Sequence, residues 1–390
     1  MTGPATGPNS LDVFLVAGEE SGDILAAGLM AALRARVSGA RFRGVGGGRM
    51  QALGLASLFP MDDITAMGFA QVIAGLPRIL RRLRATVDAI VAAPPDVLVL
   101  VDAPDFTHRV AHRVRRKLPH LPIVKYVAPT VWVWREGRAK AMAPDIDRVL
   151  AVLPFEPQVM ADLGGPPTIY VGHPLIGMLD HLRPNAEEAR LRASDRPVML
   201  VLPGSRRAEL ARLGTVFGDV LGRLHQKLPH VDFVLPTLPK RLAEVEAMVA
   251  DWPVKPRIVV DEADKHAAFR VARAALAASG TVTLELALAG IPTVAAYKVP
   301  WLEGRIAPHF IKVDTAILPN LILKEKAVPE YLQWHIDPPA MADQLVRLIE
   351  GGPERDAQVA AFARLDVVMG LDGARPGERA AQAVLDLLGR

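Results

Sequence analysis

The sequence predicts an α/β protein made of two doubly wound parallel-sheet domains that face a central cleft. Short, almost wholly apolar segments recur along the chain, and helical patterns separate most of them. This alternation is typical of βαβ units, in which crossover helices cover both faces of a parallel sheet. The series is interrupted once, near Pro184, and then starts again, which indicates a second domain.

The first series of strands opens the chain. Leu11–Ala17 is apolar throughout, and a helical pattern follows it from about Ser21 to Arg36. Four more strands are predicted, at Arg41–Val45, Val97–Val101, Ile123–Val127 and Val149–Leu153. These elements form a predicted N-terminal domain over residues 1–182.

The second series predicts a C-terminal domain over residues 183–355. Its strands are expected at Val198–Leu202, Val231–Leu235, Ile258–Val260, Ala274–Ala278 and Thr293–Tyr297. The tail, residues 356–390, contains helical patterns without a strand. We expect this tail to pack back onto the N-terminal domain.

Composition limits the function classes. The 390 residues are 51% hydrophobic and 23% charged, as expected for a globular protein with large cores. No apolar run reaches the ~18 residues that span a bilayer, and Met1–Ser10 lacks the basic region of a signal peptide, so we expect a cytoplasmic protein. The absence of cysteine excludes disulfides and thiolate catalysis. A net charge of +4 suits anionic partners without choosing among them.

A nucleotide-sugar site is indicated after the Ala274–Ala278 strand. Ser279-Gly280-Thr281 opens a helix there, and Glu285 lies one turn further along the same face. Free amide groups and the helix dipole favour a phosphate at this position, while the carboxylate suits two ribose hydroxyls. The same spacing also fits an ordinary capped helix after a strand.

An arginine pair follows the first strand of the second series. Gly204-Ser205-Arg206-Arg207 predicts a tight turn, from which Arg206 can hold a diphosphate with a bidentate fork. Such an arginine, together with a helix N-terminus, would stabilise a departing nucleoside diphosphate without a metal ion. We therefore predict neither a metal site nor a cofactor.

A candidate general base follows the most apolar strand. Asp102 comes directly after Val101, at the carboxyl end of the strand, where doubly wound sheets bind ligands. Asp105 follows Pro104 and is equally well explained as an acid in the first turn of a helix.

Other polar clusters give weaker signals. Gly18–Asp23 lacks the spacing of a dinucleotide fingerprint or a P-loop, and Ser21 can simply cap a helix. His108 and His112 share a helix face, but neighbouring arginines would repel a cation. The Asp145-Ile146-Asp147 segment matches a metal-binding Asp-x-Asp motif but precedes a strand, at the wrong end of the sheet.

A basic amphipathic helix is predicted to begin at Ile73. Its apolar residues recur at intervals of three and four, and arginines such as Arg81 and Arg82 occupy other positions. The pattern fits a core-packed helix with a basic outer side, and equally a helix on an anionic membrane surface. Further along, Trp134 and Arg135 follow a strand and either line the cleft or pack locally.

Eight short motifs occur in order along most of the chain. They are Gly18–Asp23, Asp102–Phe106, Trp132–Arg135, Leu153–Glu156, Val171–Pro174, Leu202–Arg206, Ala278–Thr281 and Leu318–Asn320. Each is weak alone, but together the chain closely resembles the lipid-A-disaccharide synthases. It departs from the usual pattern at Glu20, Ala128 and Thr130, all in loops.

The resemblance implies a GT-B fold of two Rossmann-like domains and an inverting, metal-independent hexosyltransferase similar to glycosyltransferase family 19. It implies transfer from UDP-2,3-diacylglucosamine to 2,3-diacylglucosamine 1-phosphate (lipid X), which gives UDP and lipid A disaccharide 1-phosphate with a β-1,6 linkage. It further implies a peripheral enzyme on the inner face of the bacterial inner membrane, working on an anionic membrane surface. A homodimer is compatible with this family, and nucleic acid is not an expected partner.

The resemblance also assigns site residues. Asp102 would remove the proton of the acceptor hydroxyl. The residues expected around the acceptor are Ser21, Asp23, Asp105, Trp134 and Arg135. Those expected to bind the donor are Arg206, Ser279, Gly280, Thr281, Glu285, Asn320 and Gln333.

Two other functions remain open on sequence grounds. A UDP-N-acetylglucosamine 2-epimerase uses a similar two-domain fold and also needs a UDP site, but it requires no lipid acceptor. A basic sugar-nucleotide or nucleic-acid binding protein is supported by the charge alone, and the basic residues lack the interleaved aromatic residues of a single-strand platform.

Overall fold

The computed structural model describes residues 10–64, 69–301, 305, 313–371 and 373–390. The chain divides into two compact units, one formed by Met1–Ile176 with Gly373–Arg390 and the other by Gly177–Asp372. These boundaries differ from those expected after residues 182 and 355. The Pro353–Val368 helix packs against Leu318–Leu323 within the second unit, so only the last helix returns to the first.

The first unit contains a seven-stranded parallel sheet of order β3-β2-β1-β4-β5-β6-β7. Its strands are β1 Ser10–Ala17, β2 Gly39–Val45, β3 Ala56–Ser57, β4 Val97–Val101, β5 Ile123–Tyr126, β6 Arg148–Ala151 and β7 Thr168–Tyr170. Its helices are α1 Glu20–Arg36, α2 Gly48–Ala52, α3 Phe69–Ala92, α4 Pro104–Lys117, α5 Gly137–Met142 and α6 Glu156–Asp162, with Pro376–Leu387 added from the end of the chain.

The second unit contains a six-stranded parallel sheet of order β10-β9-β8-β11-β12-β13. Its strands are β8 Val198–Leu202, β9 Asp232–Pro236, β10 Arg257–Val259, β11 Ala272–Ala278, β12 Thr293–Tyr297 and β13 Glu330–Leu332. Its helices are α7 Leu179–Leu182, α8 Ala186–Arg192, α9 Arg207–Lys227, α10 Leu242–Ala250, α11 Glu262–Val271, α12 Thr281–Leu288, α13 Leu318–Leu323, α14 Pro338–Glu350 and α15 Pro353–Val368; the helix at Pro376–Leu387 is α16.

Apolar runs account for the central strands. Every residue of β4 is buried, as expected for a strand covered by helices on both faces. Three strands were not predicted, namely β3, β7 and β13. Each has only two or three residues and lies at the edge of its sheet, so none carries an apolar run that the sequence could reveal.

The last helix completes the first unit. It packs along α1, and Arg148 in β6 donates a hydrogen bond of 2.7 Å from Nη1 to the carbonyl of Ala383. The end of the chain therefore belongs to the same core as its beginning, which a sequence pattern without strands could not locate.

Helix α3 corresponds to the predicted basic amphipathic helix. Leu83, Val87 and Ile90 are buried, whereas Leu76 and Leu80 are each about two-fifths exposed. The side chain of Ile73 lies outside the described residues. None of the helices in the described part of the chain is long and apolar enough to cross a membrane.

Candidate active site

A pocket of about 370 Å³ opens at the carboxyl ends of three strands of the second unit. Its walls come from the segments that follow β8, β9 and β11, together with Lys265 of α11 and Glu285 of α12. Ligands of doubly wound sheets bind at this edge because the loops after parallel strands converge there. Arg206, the Ser279–Thr281 turn and Glu285, which the sequence analysis selected, all line this pocket.

The turn after β11 presents backbone donors. Helix α12 begins at Thr281, and Gly280 before it has no side chain to cap the first amide groups. The Ser279 hydroxyl donates a hydrogen bond of 2.6 Å to the carbonyl oxygen of Ala316, so its proton is directed away from the pocket. The turn therefore offers amide groups and the positive end of the α12 dipole to an anion.

A second turn brings Arg206 to the same pocket. Gly204 adopts a positive φ of 115°, and a Cβ there would lie 2.5 Å from Oε2 of Glu209. That carboxylate accepts hydrogen bonds of 3.1 Å from the backbone amides of Ser205 and Arg206. The Arg206 side chain is 79% exposed and makes only a long contact of 3.4 Å with Glu209, so it can turn toward a ligand. Sequence reasoning missed Glu209, although its spacing from the turn fits a residue that caps α9.

Glu285 is paired with a cation that sequence reasoning also missed. Lys265 Nζ lies 3.0 Å from Glu285 Oε2, and both side chains are partly buried at the pocket wall. The pair leaves the second carboxylate oxygen of Glu285 for a ligand hydroxyl. Another wall is formed by Pro236–Leu238, at the end of β9 and just beyond it. In the sequence, only their place after a predicted strand pointed to a position in the pocket.

Asn320 does not line the pocket, contrary to the sequence-based expectation. It is 1% exposed, and its side-chain amide donates to the carbonyl of Val328 and the hydroxyl of Thr315. Its carbonyl accepts a hydrogen bond of 2.8 Å from the Val328 amide. Thr315 precedes α13 and Val328 follows it, so Asn320 joins the segments on the two sides of that helix.

Gln333 is likewise absent from the pocket wall. Its side chain accepts a hydrogen bond of 2.9 Å from the Val299 amide and donates one of 3.1 Å to the Val299 carbonyl. Its φ is positive, at 49°, which this two-point contact helps to hold. Gln333 therefore joins the segments that follow β12 and β13.

In the first unit, Asp102 directly follows β4 and has an unusual backbone conformation. Both Asp102 and Ala103 have positive φ angles, of 50° and 41°, although neither is glycine. Oδ1 of Asp102 accepts a hydrogen bond of 2.9 Å from the Ala103 amide, and Oδ2 accepts one of 3.1 Å from the hydroxyl of Ser21. The predicted base and the predicted acceptor residue Ser21 are thus brought together from positions 81 residues apart.

Asp23, which was expected around the acceptor, is buried. It is 4% exposed and accepts hydrogen bonds from the backbone amides of Gly47, Arg49 and Met50, at 2.8, 2.8 and 3.2 Å. The carboxylate therefore anchors the glycine-rich turn before α2, and all its contacts are internal.

Asp105, Trp134 and Arg135 lie on the surface of the same unit. The Asp105 side chain is 82% exposed and pairs with Arg138 at 2.7 Å, and it lies in the first turn of α4. Trp134 is exposed, with the guanidinium of Arg135 4.1 Å from its ring centroid. Asp105 also borders a pocket of about 350 Å³ that includes Glu19, Ala103 and Leu76. These exposed groups remain available to a ligand.

The remaining ionisable candidates have internal explanations. Burial, followed by the charges of Lys125 and Arg138, lowers the pKa of His108 to about 4. His112 contacts Asp145 at 3.1 Å, while Asp147 accepts a hydrogen bond of 2.6 Å from Arg115. Within the described ranges, no three His, Asp or Glu side chains form a group that could hold a metal ion.

Comparison with known proteins identifies the family. The sequence profile described as lipid-A-disaccharide synthetase matches residues 13–382. The lipid-A-disaccharide synthase of Nitrobacter winogradskyi is 51% identical over 100% of this chain and 98% of its own length. That of Bradyrhizobium diazoefficiens is 51% identical over 96% of this chain and 95% of its own. The chain belongs to the lipid-A-disaccharide synthase family. It is a glycosyltransferase of lipid A biosynthesis, as the motifs indicated.

Solved structures with the same fold are much more distant in sequence. A UDP-GlcNAc 2-epimerase from Neisseria meningitidis, bound to UDP-GlcNAc, superposes with a TM-score of 0.64 at 12% identity, covering 97% of this chain and 100% of its own. The calicheamicin glycosyltransferase CalG4 gives 0.60 at 16% identity, covering 98% and 99%. These likenesses support the GT-B fold of this lipid-A-disaccharide synthase family member and no particular substrate.

Proposed function

We propose that the protein transfers the diacylglucosaminyl group of UDP-2,3-diacylglucosamine to 2,3-diacylglucosamine 1-phosphate, with Asp102 as general base and no metal ion. The acceptor hydroxyl loses its proton to Asp102, its oxygen bonds to the anomeric carbon of the donor, and the bond from that carbon to the diphosphate breaks. UDP leaves from the opposite face, so the configuration inverts and a β linkage forms. The observation that carries the proposal is the pocket after β8, β9 and β11, because it combines groups suited to each part of UDP.

The donor pocket supports this assignment group by group. The amides before α12 and the exposed Arg206 can share the negative charge that develops on the departing diphosphate. Glu285 is held in place by Lys265 and has an oxygen left for the ribose hydroxyls. A pocket of about 370 Å³ suits a nucleotide, and the acyl chains of the donor would extend outside it.

Asp102 supports the acceptor half of the proposal. Its carboxylate lies at the carboxyl end of β4, and its hydrogen bonds come from one backbone amide and one exposed serine hydroxyl. Two carboxylate oxygens offer about four acceptor positions, so a substrate hydroxyl can still donate to Asp102. The neighbouring pocket, which includes Ile79 and Phe106, supplies apolar surface for part of an acylated acceptor.

We further propose that the first unit binds the inner face of the bacterial inner membrane peripherally. Helices α3 and α4 form a basic groove of about 680 Å³, lined by Leu80, Arg84, Arg113, Arg116 and Lys117 among others. Cations around an exposed leucine suit anionic headgroups above an apolar layer. Arg82 is a poorer candidate than the sequence suggested, because it pairs with Asp63 at 2.7 Å.

The membrane assignment is tested with vesicles of anionic and of neutral phospholipid. Reversing Arg84 and Arg116 to glutamate should weaken binding to the anionic vesicles, whereas reversing the exposed Lys240 of the second unit should not. Equal binding of all variants would refute the assignment.

Association into a homodimer also stays a prediction, which sedimentation at several protein concentrations tests.

The catalytic proposal is tested by UDP release from the purified protein with both diacylglucosamine substrates. We expect release that requires the acceptor, resists EDTA and falls by about 100-fold or more in Asp102→Asn. Asp145→Asn is the matched control, because it alters the Asp-x-Asp segment and should leave release unchanged. Acceptor-independent loss of UDP would favour an epimerase, and an inactive Asp145→Asn with EDTA sensitivity would favour a metal-dependent transferase.

The donor assignment has its own matched pair of arginines. Arg206→Ala should lower kcat by about 100-fold, since the side chain is assigned to the charge that develops on the diphosphate. Arg207→Ala removes the adjacent arginine, which is 82% exposed and does not line the pocket. Equal losses in both variants would contradict a specific role for Arg206.

A further inference from the structure

A lysine lies buried beneath Asp102. Lys125 occupies the third position of β5, a central strand of the first sheet, and is 1% exposed. Its Nζ donates hydrogen bonds to the backbone carbonyl of Asp102 and, at 3.0 Å, to the hydroxyl of Thr107. Lysine is almost never fully buried in proteins unless it is paired, so this position requires a reason.

These contacts hold the backbone that aims the Asp102 carboxylate. Two consecutive non-glycine residues, Asp102 and Ala103, have positive φ, which L-residues adopt only where the surroundings impose it. The Thr107 hydroxyl reaches the carbonyls of both residues, at 2.9 and 3.0 Å, and Lys125 joins it on the first. Gly18 leaves the space that the turn needs, since a Cβ at that position would lie 2.4 Å from Cβ of Ala103.

The ammonium group also acts on the carboxylate by its charge. Burial lowers the pKa of Lys125 to about 7, and the negative charges of Asp102 and Glu19 oppose this lowering. The two opposite charges attract, which adds to the contacts that hold Asp102 in place. His108, on α4, also faces Lys125, and burial followed by the charges of Lys125 and Arg138 lowers its pKa to about 4, so it is neutral at physiological pH.

We propose that Lys125 is a positioning residue for Asp102, which holds the left-handed turn that aims the base. This inference rests on the proposed role of Asp102 as base. Lys125 touches no substrate, because its side chain is enclosed between the sheet and α4.

A stability role does not account for a buried ammonium group. Removing a charge from water costs free energy, and replacing a buried ion by an apolar group of similar shape is often neutral or stabilising. In Lys125→Met the carbonyl of Asp102 would still accept from Thr107, so the substitution leaves that buried carbonyl paired. The variant should therefore separate activity from stability, as expected where a residue serves function.

The test measures UDP release at saturating substrates across about pH 5 to pH 9, together with thermal unfolding. In Lys125→Met we expect kcat to fall by about 10-fold to 100-fold, because small misplacements of a catalytic group have effects of this size. KM for both substrates should stay near the wild-type values. A fall confined to kcat is the result expected of a misplaced base. The unfolding midpoint should be equal or higher.

Two further variants sharpen the test. Thr107→Val removes the other half of the support and should also lower kcat. Because Thr107→Val probes the same backbone support, it tests the proposal even if Lys125→Met does not fold. Tyr126→Phe is the matched control from the same strand, since the buried Tyr126 hydroxyl has no hydrogen-bond partner among the described residues. It should leave kcat and the pH profile unchanged.

The results distinguish this inference from the assignment of the base. A wild-type kcat in Lys125→Met, while Asp102→Asn is inactive, would overturn the role of Lys125 alone. A fall in kcat together with a lower unfolding midpoint would also overturn it, because that pattern indicates a structural role. Full activity in Asp102→Asn would instead overturn the assignment of the base on which the inference rests.

Discussion

Replacing Asp23, the last residue of the Gly18–Asp23 motif, tests whether its side chain contacts the acceptor or holds the turn before α2. The sequence suggested a contact with the acceptor, whereas the structure shows three backbone amides donating to its buried carboxylate. A hydrogen bond to a charged group contributes about 1.5–3 kcal/mol, and such contributions are not additive. With two contacts at 2.8 Å and one at 3.2 Å, we expect Asp23→Ala to lower the free energy of unfolding by about 3–4 kcal/mol.

The glycine beside this carboxylate provides an internal check. A Cβ at Gly47 would lie 2.8 Å from Oδ2 of Asp23, so Gly47→Ala should also destabilise the protein. Removing the carboxylate relieves that clash, and the two losses should therefore be less than additive in the double variant. Urea unfolding of the wild type, both single variants and the double variant measures this coupling.

Activity measured under native conditions completes this test. If Asp23 only holds the turn, the folded Asp23→Asn variant should retain most of the wild-type kcat. Its side-chain oxygen can still accept hydrogen bonds from the backbone amides of the turn. An unchanged unfolding free energy in Asp23→Ala, combined with a large rise in KM for the acceptor, would refute the reasoning from the three amide contacts. It would restore the acceptor contact that the sequence suggested.

The remaining predictions concern pH dependence and the donor pocket. Burial raises the pKa of Glu156 from 4.5 to about 7, so its contribution to stability is full below pH 4.5 and is lost as the pH rises through 7. The stability of the wild type relative to Glu156→Gln should therefore fall by about 3 kcal/mol across that window, measured by urea unfolding; a constant difference would contradict the shift. Gly204→Ala should destabilise the protein by about 1–3 kcal/mol and weaken UDP binding in calorimetry, because alanine strains the turn and clashes with Glu209. Unaltered UDP binding would show that the turn does not contribute to the donor site. Glu285→Gln should abolish the preference for UDP over its 2′-deoxy analogue, and Lys265→Met should weaken UDP binding about tenfold; a preserved preference would place the ribose elsewhere.

Much of the fold was predictable because its signals are local. An apolar run such as Val97–Val101 records burial on both faces within five residues, and the sheet places that segment at its centre. Edge strands such as Glu330–Leu332 carry no such run, since pairing with β12 rather than an apolar pattern makes them strands. The boundary between the two units after Asp372 was also not predictable from the sequence, because helical periodicity does not reveal which core a helix joins.

The site shows the same division between local and distant information. Position after a strand was enough to select Arg206, the Ser279–Thr281 turn and Asp102, because parallel strands bring their following loops to one edge. Asn320 was expected in the donor pocket, and its contacts with the segments before and after α13 could not be read from its neighbours in sequence. The local pattern thus establishes where polar residues can gather.

Which polar groups meet there depends on the folded chain. Lys125 and Asp102 are 23 residues apart and Lys265 and Glu285 are 20 apart, yet each pair is in direct contact. In the sequence both lysines read as ordinary charged residues, one within a strand and one on a helix. Their burial and partners arise only when β4 lies beside β5, and when α11 and α12 pack on one sheet. Secondary structure follows from periodicity within a few residues, whereas the electrostatics of a site follow from distances that tertiary packing sets.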